Sequence, residues 1–500
     1  MPHSDSLTKK SAFVTSGRFV NAGMRFLVNL TVARIFAERV ALNGEYQQVW
    51  LLFNTFFPIF LFGIPQSIYY FYPRSDYDQR GAFVRQSLLL LQILGGVFFV
   101  FLFCMAPYAG KLYGTPQLIP HFRWFAVYGF AMVAAGFFDT LFIVMNRHRW
   151  QAAVMASEAV LFFCATVVPI YLGAALITVF KCVTALALVK WVFVLGVLAS
   201  EKREFRLTWT LPQWEKIKTQ LAYAAPLGLT AAVGYLSIYL DKNIISGYFG
   251  SATYAIYVYG AMEVPFVAMV LSAINNVLVP EISRMHHEGQ VQKISRVWQR
   301  AISKTSLLLL PMWIFLMIWA VELYVSIYGA PYRASSLIFR IYLLKLPLRI
   351  TAYNMVLSVI GYPNLVFRIA LIEMGINTAL SLTFVRWWGM PGPAIATVIA
   401  TYVQVIVLTR VIRTKLSLRV RDIFPWRHLM KVLSLSLFAG AVSLIAYVAP
   451  VAYWAQLILG GALFGVTCLV LFWRSGDIAL LFNLPTFSLG RSFRGKNREP

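Results

Sequence analysis

Apolar runs of about twenty residues recur from one end of this chain to the other, and a run of that length crosses the hydrocarbon of a bilayer as one helix. No other feature constrains the fold as strongly. In lipid the backbone must satisfy its own hydrogen bonds, so a chain of such runs folds as a helical bundle. Hydrophobic residues make up 59% of the 500 and charged residues 13%, too few to coat soluble domains of that total length. The formal charge of +25 raises the question of nucleic acid. The basic residues, however, sit in short stretches between apolar runs, as in a multi-pass membrane protein. No nucleic-acid partner is expected.

Fourteen membrane helices are predicted, near 12–36, 46–70, 82–107, 121–145, 151–173, 176–200, 219–246, 254–280, 303–328, 334–358, 366–386, 391–412, 428–449 and 453–473. Breaks between them carry turn residues, such as Asn43-Gly44, Gly114-Thr115-Pro116 and Gly361-Tyr362-Pro363. Loop charge orients the bundle. With a cytoplasmic N-terminus, the inside loops receive Arg74, Arg80, Arg147, Arg149, Lys202, Arg203, Arg284 and Lys293. They also receive the run from Arg410 to Arg427 and the tail with Arg491, Arg494, Lys496 and Arg498. Outside loops keep Arg39, Lys111, Arg333 and Arg386. This bias predicts an even number of spans with both termini cytoplasmic.

Loops are short, none beyond about twenty residues, which leaves no space for a soluble catalytic domain. A GxxxxGK phosphate loop is absent, so the chain is not expected to be an enzyme of that kind or any other. Cys104, Cys164, Cys182 and Cys468 lie in apolar runs without CxxC spacing and read as small buried side chains. His286-His287-Glu288 lacks metal-ligand spacing and reads as a solvated loop. No cleavable leader is expected, because the segment after Lys9-Lys10 is long and interrupted by arginines.

Charges inside the spans are the candidate functional groups, since each is costly in lipid and faces protein or a wet cavity. In "SGRFVNAGMRFLVNL", Arg18, Asn21, Arg25 and Asn29 follow i, i+3, i+7, i+11 spacing and form one stripe along the first helix. Either the stripe lines a cavity or it bonds a neighbouring helix. In the tenth span, Lys345 and Arg349 share a face at i, i+4, with Arg340 pointing elsewhere and Pro347 kinking the helix. Among the acids, Asp241 adjoins Lys242 near the outer end of the seventh span, and Glu263 and Glu373 lie deeper. They either balance buried arginines or bind a coupling H+ or Na+. No other cofactor and no metal is expected. Basic groups outnumber acidic ones within the spans, and a wet cationic cavity attracts a diphosphate and repels lipophilic cations.

Arg34 and Tyr46 have the spacing of Lys242 and Tyr254, which hints at two six-helix lobes of the same orientation. The predicted organisation is a lobe over 1–200, a linker over 201–218, a second lobe over 219–416, two extra helices within 417–475 and a basic tail over 476–500. Three segments carry a family resemblance. One is "VARIFAERVALNGEYQQVWLLFNTFFPIFLFGIPQSIYYFYPR", with Arg34, Gly44, Tyr46, Gly63 and Arg74. Another is "YAAPLGLTAAVGYLSIYLDKNIISGYFGSATYAIYVYGAMEVP", with Pro226, Asp241, Gly250 and Tyr254, followed by Pro280. The third is "GINTALSLTFVRWWGMPGPAIAT", which departs from the family at Pro393, where a small residue is usual.

Over nearly its whole length the chain resembles the polysaccharide (O-antigen-type) flippase branch of the multidrug/oligosaccharidyl-lipid/polysaccharide exporter superfamily. That resemblance implies a V-shaped, two-lobed fold with alternating access in a bacterial inner membrane. It implies an undecaprenyl-pyrophosphate-linked oligosaccharide as cargo, surface polysaccharide biosynthesis as the setting, and membrane lipids, a polymerase and other assembly proteins as partners. A cation-coupled multidrug exporter and a lipid II-type flippase are the alternatives of the same fold. A membrane glycan polymerase is a third, disfavoured by the short outer loops.

Overall fold

A computed structural model describes residues 7–200 and 213–482, so linker residues 201–212 and the tail from 483 onward fall outside the described residues. The described residues form helices, turns and loops, with no strand among them. In chain order the helices are α1 (Leu7–Ile35), α2 (Val40–Leu61), α3 (Ile64–Phe71), α4 (Tyr77–Leu112), α5 (Ile119–Ala134), α6 (Phe138–Val144) and α7 (His148–Tyr171). There follow α8 (Leu176–Ser200), α9 (Trp214–Gly260), α10 (Pro265–His287), α11 (Val291–Ile318), α12 (Ala320–Tyr328), α13 (Ser335–Leu343) and α14 (Tyr353–Val359). The last are α15 (Pro363–Trp388), α16 (Pro391–Lys415), α17 (Val420–Ile423), α18 (Trp426–Ser443), α19 (Tyr453–Arg474) and α20 (Ile478–Phe482).

Among the described residues, 11 helical stretches are long and apolar enough to cross a membrane, from Val40–Arg74 to Tyr453–Arg474. The chain is thus an all-α, multi-pass membrane protein, as its apolar runs require. The first, eighth and tenth expected spans are not among the 11, and these are spans in which the candidate polar residues concentrate. Helix α1 is continuous over 29 residues, but three arginines and two asparagines dilute its hydropathy.

The other two differ from expectation. The expected helix over 254–280 is broken: α9 ends at Gly260, residues 262–264 are non-helical, and α10 starts at Pro265. Proline disfavours helical geometry in the residue before it and is pre-set for the first turn after it. Glu263 therefore sits exposed in a break instead of deep in a span. The expected helix over 334–358 is broken more thoroughly, into α13, a 3-10 turn over Leu346–Ile350 and α14. Pro347 has no N–H to give and its ring collides with the carbonyl four residues back. After the turn, Thr351 is fully extended at φ −151, ψ 165. At 3.0 residues per turn, positions i and i+4 point roughly 120° apart. Lys345 and Arg349 therefore do not share the helical face that an unbroken α-helix would have given them.

Two compact units emerge from the packing. The first comprises residues 1–265, 324–342 and 364–404. Its core is aromatic: the Trp50 ring meets Phe53, Phe125, Tyr128 and Phe162 edge-on, with centroids 4.9–6.1 Å apart. Such edge-to-face contacts add directional preference to the burial of large rings. Gly44 lets α2 touch the last part of α9, since a Cβ there would lie 1.8 Å from the Ser251 carbonyl oxygen. The neighbouring Gly250 breaks α9 locally at φ 73, ψ −175, backbone that only glycine adopts without strain. The second unit comprises the described residues within 266–323, 343–363 and 405–482. Here Trp319 stacks on Tyr447 with centroids 4.6 Å apart and donates its indole N–H to Ser443 Oγ at 3.1 Å. Trp298, fully buried, donates to Thr351 Oγ1 at 2.6 Å and so ties α11 to the extended residue after the 3-10 turn.

Candidate transport site

The stripe along α1 divides into three environments. Arg25 Nε donates to Asn21 Oδ1 at 3.0 Å, one turn earlier on the same face. The guanidinium lies 5.4 Å from the centroid of the Phe162 ring, within cation–π range. Both Asn21 and Arg25 line a narrow recess with Tyr128 of α5 and Glu158 and Phe162 of α7. Arg18 is exposed and lies within electrostatic reach of Asp139 in α6. Asn29 turns away: its Oδ1 accepts from Gln47 Nε2 at 3.3 Å and its carbonyl accepts from the Tyr259 hydroxyl at 3.2 Å. Of the four predicted residues, the structure brings Asn21 and Arg25 to one recess and gives Asn29 to a helix-to-helix contact.

One lining residue of the recess, Glu158, belongs to a charge pair that residue spacing could not reveal. Lys190 of α8 donates to Glu158 Oε2 at 2.7 Å, both side chains being largely buried. That pair is neutral as a unit. Arg25 makes no ion pair among the described residues; its partners are a carboxamide and a ring. A positive charge therefore remains available at the recess, which is the arrangement an anion requires. Glu158→Gln should leave the Lys190 ammonium without its carboxylate and cost about 2–3 kcal/mol of stability. Glu158→Gln/Lys190→Met should recover most of that loss. Apparent Tm in detergent measures both, and purely additive losses would show that the pair is not coupled.

Asn29 belongs to a knot of uncharged polar groups. The Tyr259 hydroxyl accepts from Gln47 Nε2 at 3.1 Å and from Asn43 Nδ2 at 3.2 Å, while Asn43 also donates to the Tyr332 hydroxyl at 2.5 Å. Asn43, Tyr259 and Tyr332 are fully buried. Tyr324 donates to the Tyr259 carbonyl at 2.8 Å, and Arg34 donates to the Ile327 carbonyl at 2.6 Å and to that of Ser326. Arg34 thus satisfies orphan carbonyls in the last turn of α12. The repeated tyrosines of "YAIYVYG" and the Asn43-Gly44 turn were the available signal for this knot. Their sequence pattern does not say that residues more than two hundred positions apart meet.

The candidate acids are placed differently from one another. Asp241 is buried, accepts from Tyr257 at 2.7 Å and from Tyr342, and has Lys242 Nζ at 3.5 Å. Glu373, also buried, accepts from Ser237 Oγ at 3.0 Å. Glu263 and Arg25 both lie within electrostatic range of the Tyr239 hydroxyl. Lys345 and Arg349 are half-buried and belong to the second unit, whereas Arg18, Asn21, Arg25 and Asn29 belong to the first.

Two family models match the chain. One, described as polysaccharide biosynthesis protein, covers residues 7–286; the other, described as lipid II flippase MurJ, covers residues 152–470. The chain belongs to the multidrug/oligosaccharidyl-lipid/polysaccharide exporter superfamily. Solved members of this superfamily share the fold. The lipid II flippase MurJ in an inward closed conformation matches with a TM-score of 0.68 at 14% identity, over 93% of this chain and 99% of that one. An inward-facing multidrug resistance transporter of the MATE family matches with a TM-score of 0.63 at 16% identity, over 81% and 94%. A superfamily transporter from Pyrococcus furiosus, described as having a binding pocket of reversed polarity, matches with a TM-score of 0.56 at 15% identity, over 82% and 96%. At these identities the likeness is one of fold. No curated protein sequence matches.

Proposed function

We propose that this superfamily member is a flippase that carries an undecaprenyl-pyrophosphate-linked oligosaccharide across the bacterial inner membrane for surface polysaccharide assembly. The observation that carries this reading is Arg25. It lines a recess whose other charged lining residue, Glu158, is already paired with Lys190 of α8, and its own hydrogen-bond partner is neutral. Guanidinium matches phosphate oxygens in geometry as well as charge. The descriptions of the two matching family models, one of polysaccharide biosynthesis and the other of a lipid II flippase, support the choice of a lipid-linked sugar as cargo. Arg18, exposed on the cytoplasmic side of Arg25 in the predicted orientation, would meet the diphosphate first, and Lys345 and Arg349 would meet it in the second lobe. The two lobes of residues 1–200 and 219–416 would rock to alternate access, both termini staying in the cytoplasm, with a polymerase and other assembly proteins as partners.

Charge balance is the role we assign to Asp241, whose oxygens are occupied by two tyrosines and Lys242. Glu263 and Glu373 are the candidates for H+ or Na+ coupling. A cation-exporting relative would need a net negative recess, which the surplus at Arg25 opposes. The deciding experiment reconstitutes the protein in liposomes with a fluorescent undecaprenyl-pyrophosphate-linked sugar and follows its appearance in the opposite leaflet. Translocation no faster than in protein-free liposomes would sink the reading.

A further inference from the structure

The second unit holds a mostly apolar cavity of about 490 Å³ that plays no part in the recess around Arg25. This lies within the roughly 300–1,000 Å³ of a ligand pocket. Its walls come from α11, the 3-10 turn at Pro347, the end of α16 and the start of α18. Along α16 it runs from Val405 to Arg413, about 12 Å of helix. Leu429 and Leu433 of α18 face the same space.

Among the described residues, its charged lining residues are Arg410 and Arg413 alone. They stand three residues apart on one face of α16, so the two guanidinium groups share one end of the cavity. Both are exposed, and neither makes an ion pair or side-chain hydrogen bond among the described residues. The surroundings offer no neutralisation. Between Val405 and Leu433 the sequence has seven Lys or Arg residues and one acid, Asp422. Asp422 Oδ2 accepts from the Arg419 backbone N–H at 2.9 Å, committed to starting α17. Trp426, half-exposed, lines the cavity beside Arg427, as an interfacial aromatic does.

We propose that this cavity is a binding site for an anionic phospholipid of the surrounding membrane, with an acyl chain along α16 and α18 and the phosphate on Arg410 and Arg413. A soluble anion would have no use for an apolar wall of this length. A neutral lipid would leave two guanidinium groups without a counter-charge. Basic pockets between membrane helices on the cytoplasmic side favour acidic headgroups by about 1 kcal/mol per residue. The site is independent of the flippase reading, because the argument uses neither Arg25 nor the transported cargo.

The test uses the full-length protein in nanodiscs of phosphatidylcholine containing graded phosphatidylglycerol, with retained lipid identified by native mass spectrometry. Wild type should keep phosphatidylglycerol in preference to phosphatidylcholine. Arg410→Ala/Arg413→Ala should reduce that preference about thirtyfold. Arg410→Lys/Arg413→Lys, which retains the charge, should keep most of it. Leu429→Trp, which fills the apolar part and leaves the charge alone, should expel the lipid. Equal retention of the two lipids by wild type, an unchanged preference in the double alanine variant, or no effect of Leu429→Trp would each overturn the proposal. So would displacement of the lipid by inorganic phosphate, which would assign the site to a free anion. Recovery of a polyprenyl diphosphate from this site in native membranes would assign it to the cargo instead and equally overturn it.

Discussion

Arg25→Ala should cut translocation of a pyrophosphate-linked sugar by about tenfold to a hundredfold while the protein still inserts and folds. The size follows from losing charge-assisted hydrogen bonds to a phosphate, about 1.5–3 kcal/mol in all. Folding should survive because the guanidinium is exposed and, among the described residues, its hydrogen bond and ring contact are to Asn21 and the face of Phe162 alone. Arg25→Lys should restore part of the rate, since an ammonium keeps the charge and loses the two-pronged geometry. The initial rate in proteoliposomes, normalised to inserted protein, reads both variants. A normal rate for Arg25→Ala would return the α1 stripe to helix packing.

Gly44→Leu should lower the apparent Tm more than any other single glycine replacement at an α-helical position on this face of the first unit. The atom in the way is a backbone carbonyl oxygen, that of Ser251, 1.8 Å from where Cβ would be, and backbone cannot swing aside as a side chain does. Overpacking of a tight interface typically costs about 1–3 kcal/mol, and here two helices must separate to relieve it. Gly44→Ala should already show most of the effect. Gly23 supplies the contrast: it also lies in a helix, α1, but a Cβ there would meet nothing within 4 Å. Gly23→Ala should therefore be neutral or raise the Tm, because alanine favours helix by about 1 kcal/mol. Equal effects of the two alanine variants would show that α2 and α9 do not touch as described.

Much of the fold was legible because the bilayer simplifies the problem: a long apolar run has one way to satisfy its backbone, and 11 such runs appear as helices. Legibility failed where prolines and polar groups interrupt the runs. Pro347 was expected to bend a helix and instead replaces it with a 3-10 turn, which separates Lys345 from Arg349. Pro265 starts a new helix, and it moves Glu263 from a span to a break. The α1 stripe was readable as a stripe, because helical periodicity is a local property. Its division was not readable. Whether Asn29 faces the recess or Tyr259 depends on Gln47 and on tyrosines far along the chain. The Glu158–Lys190 pair is invisible for the same reason, since nothing local to α7 or α8 marks them as partners.

The knot of Asn29, Asn43, Gln47, Tyr259 and Tyr332 bears on how fast such a barrier can be wetted. An aliphatic seal of equal area resists hydration by about 25 cal/mol for each Å² exposed. Hydroxyl and carboxamide groups instead exchange a protein hydrogen bond for one to water at little net change in free energy. Water entering this layer would find donors and acceptors ready to take it up, one group after another. A layer of that kind can stay closed through its buried rings and yet hydrate stepwise, with no dry gap to nucleate. Sugar hydroxyls, which make the same bonds as water, could follow the same path without being stripped of partners.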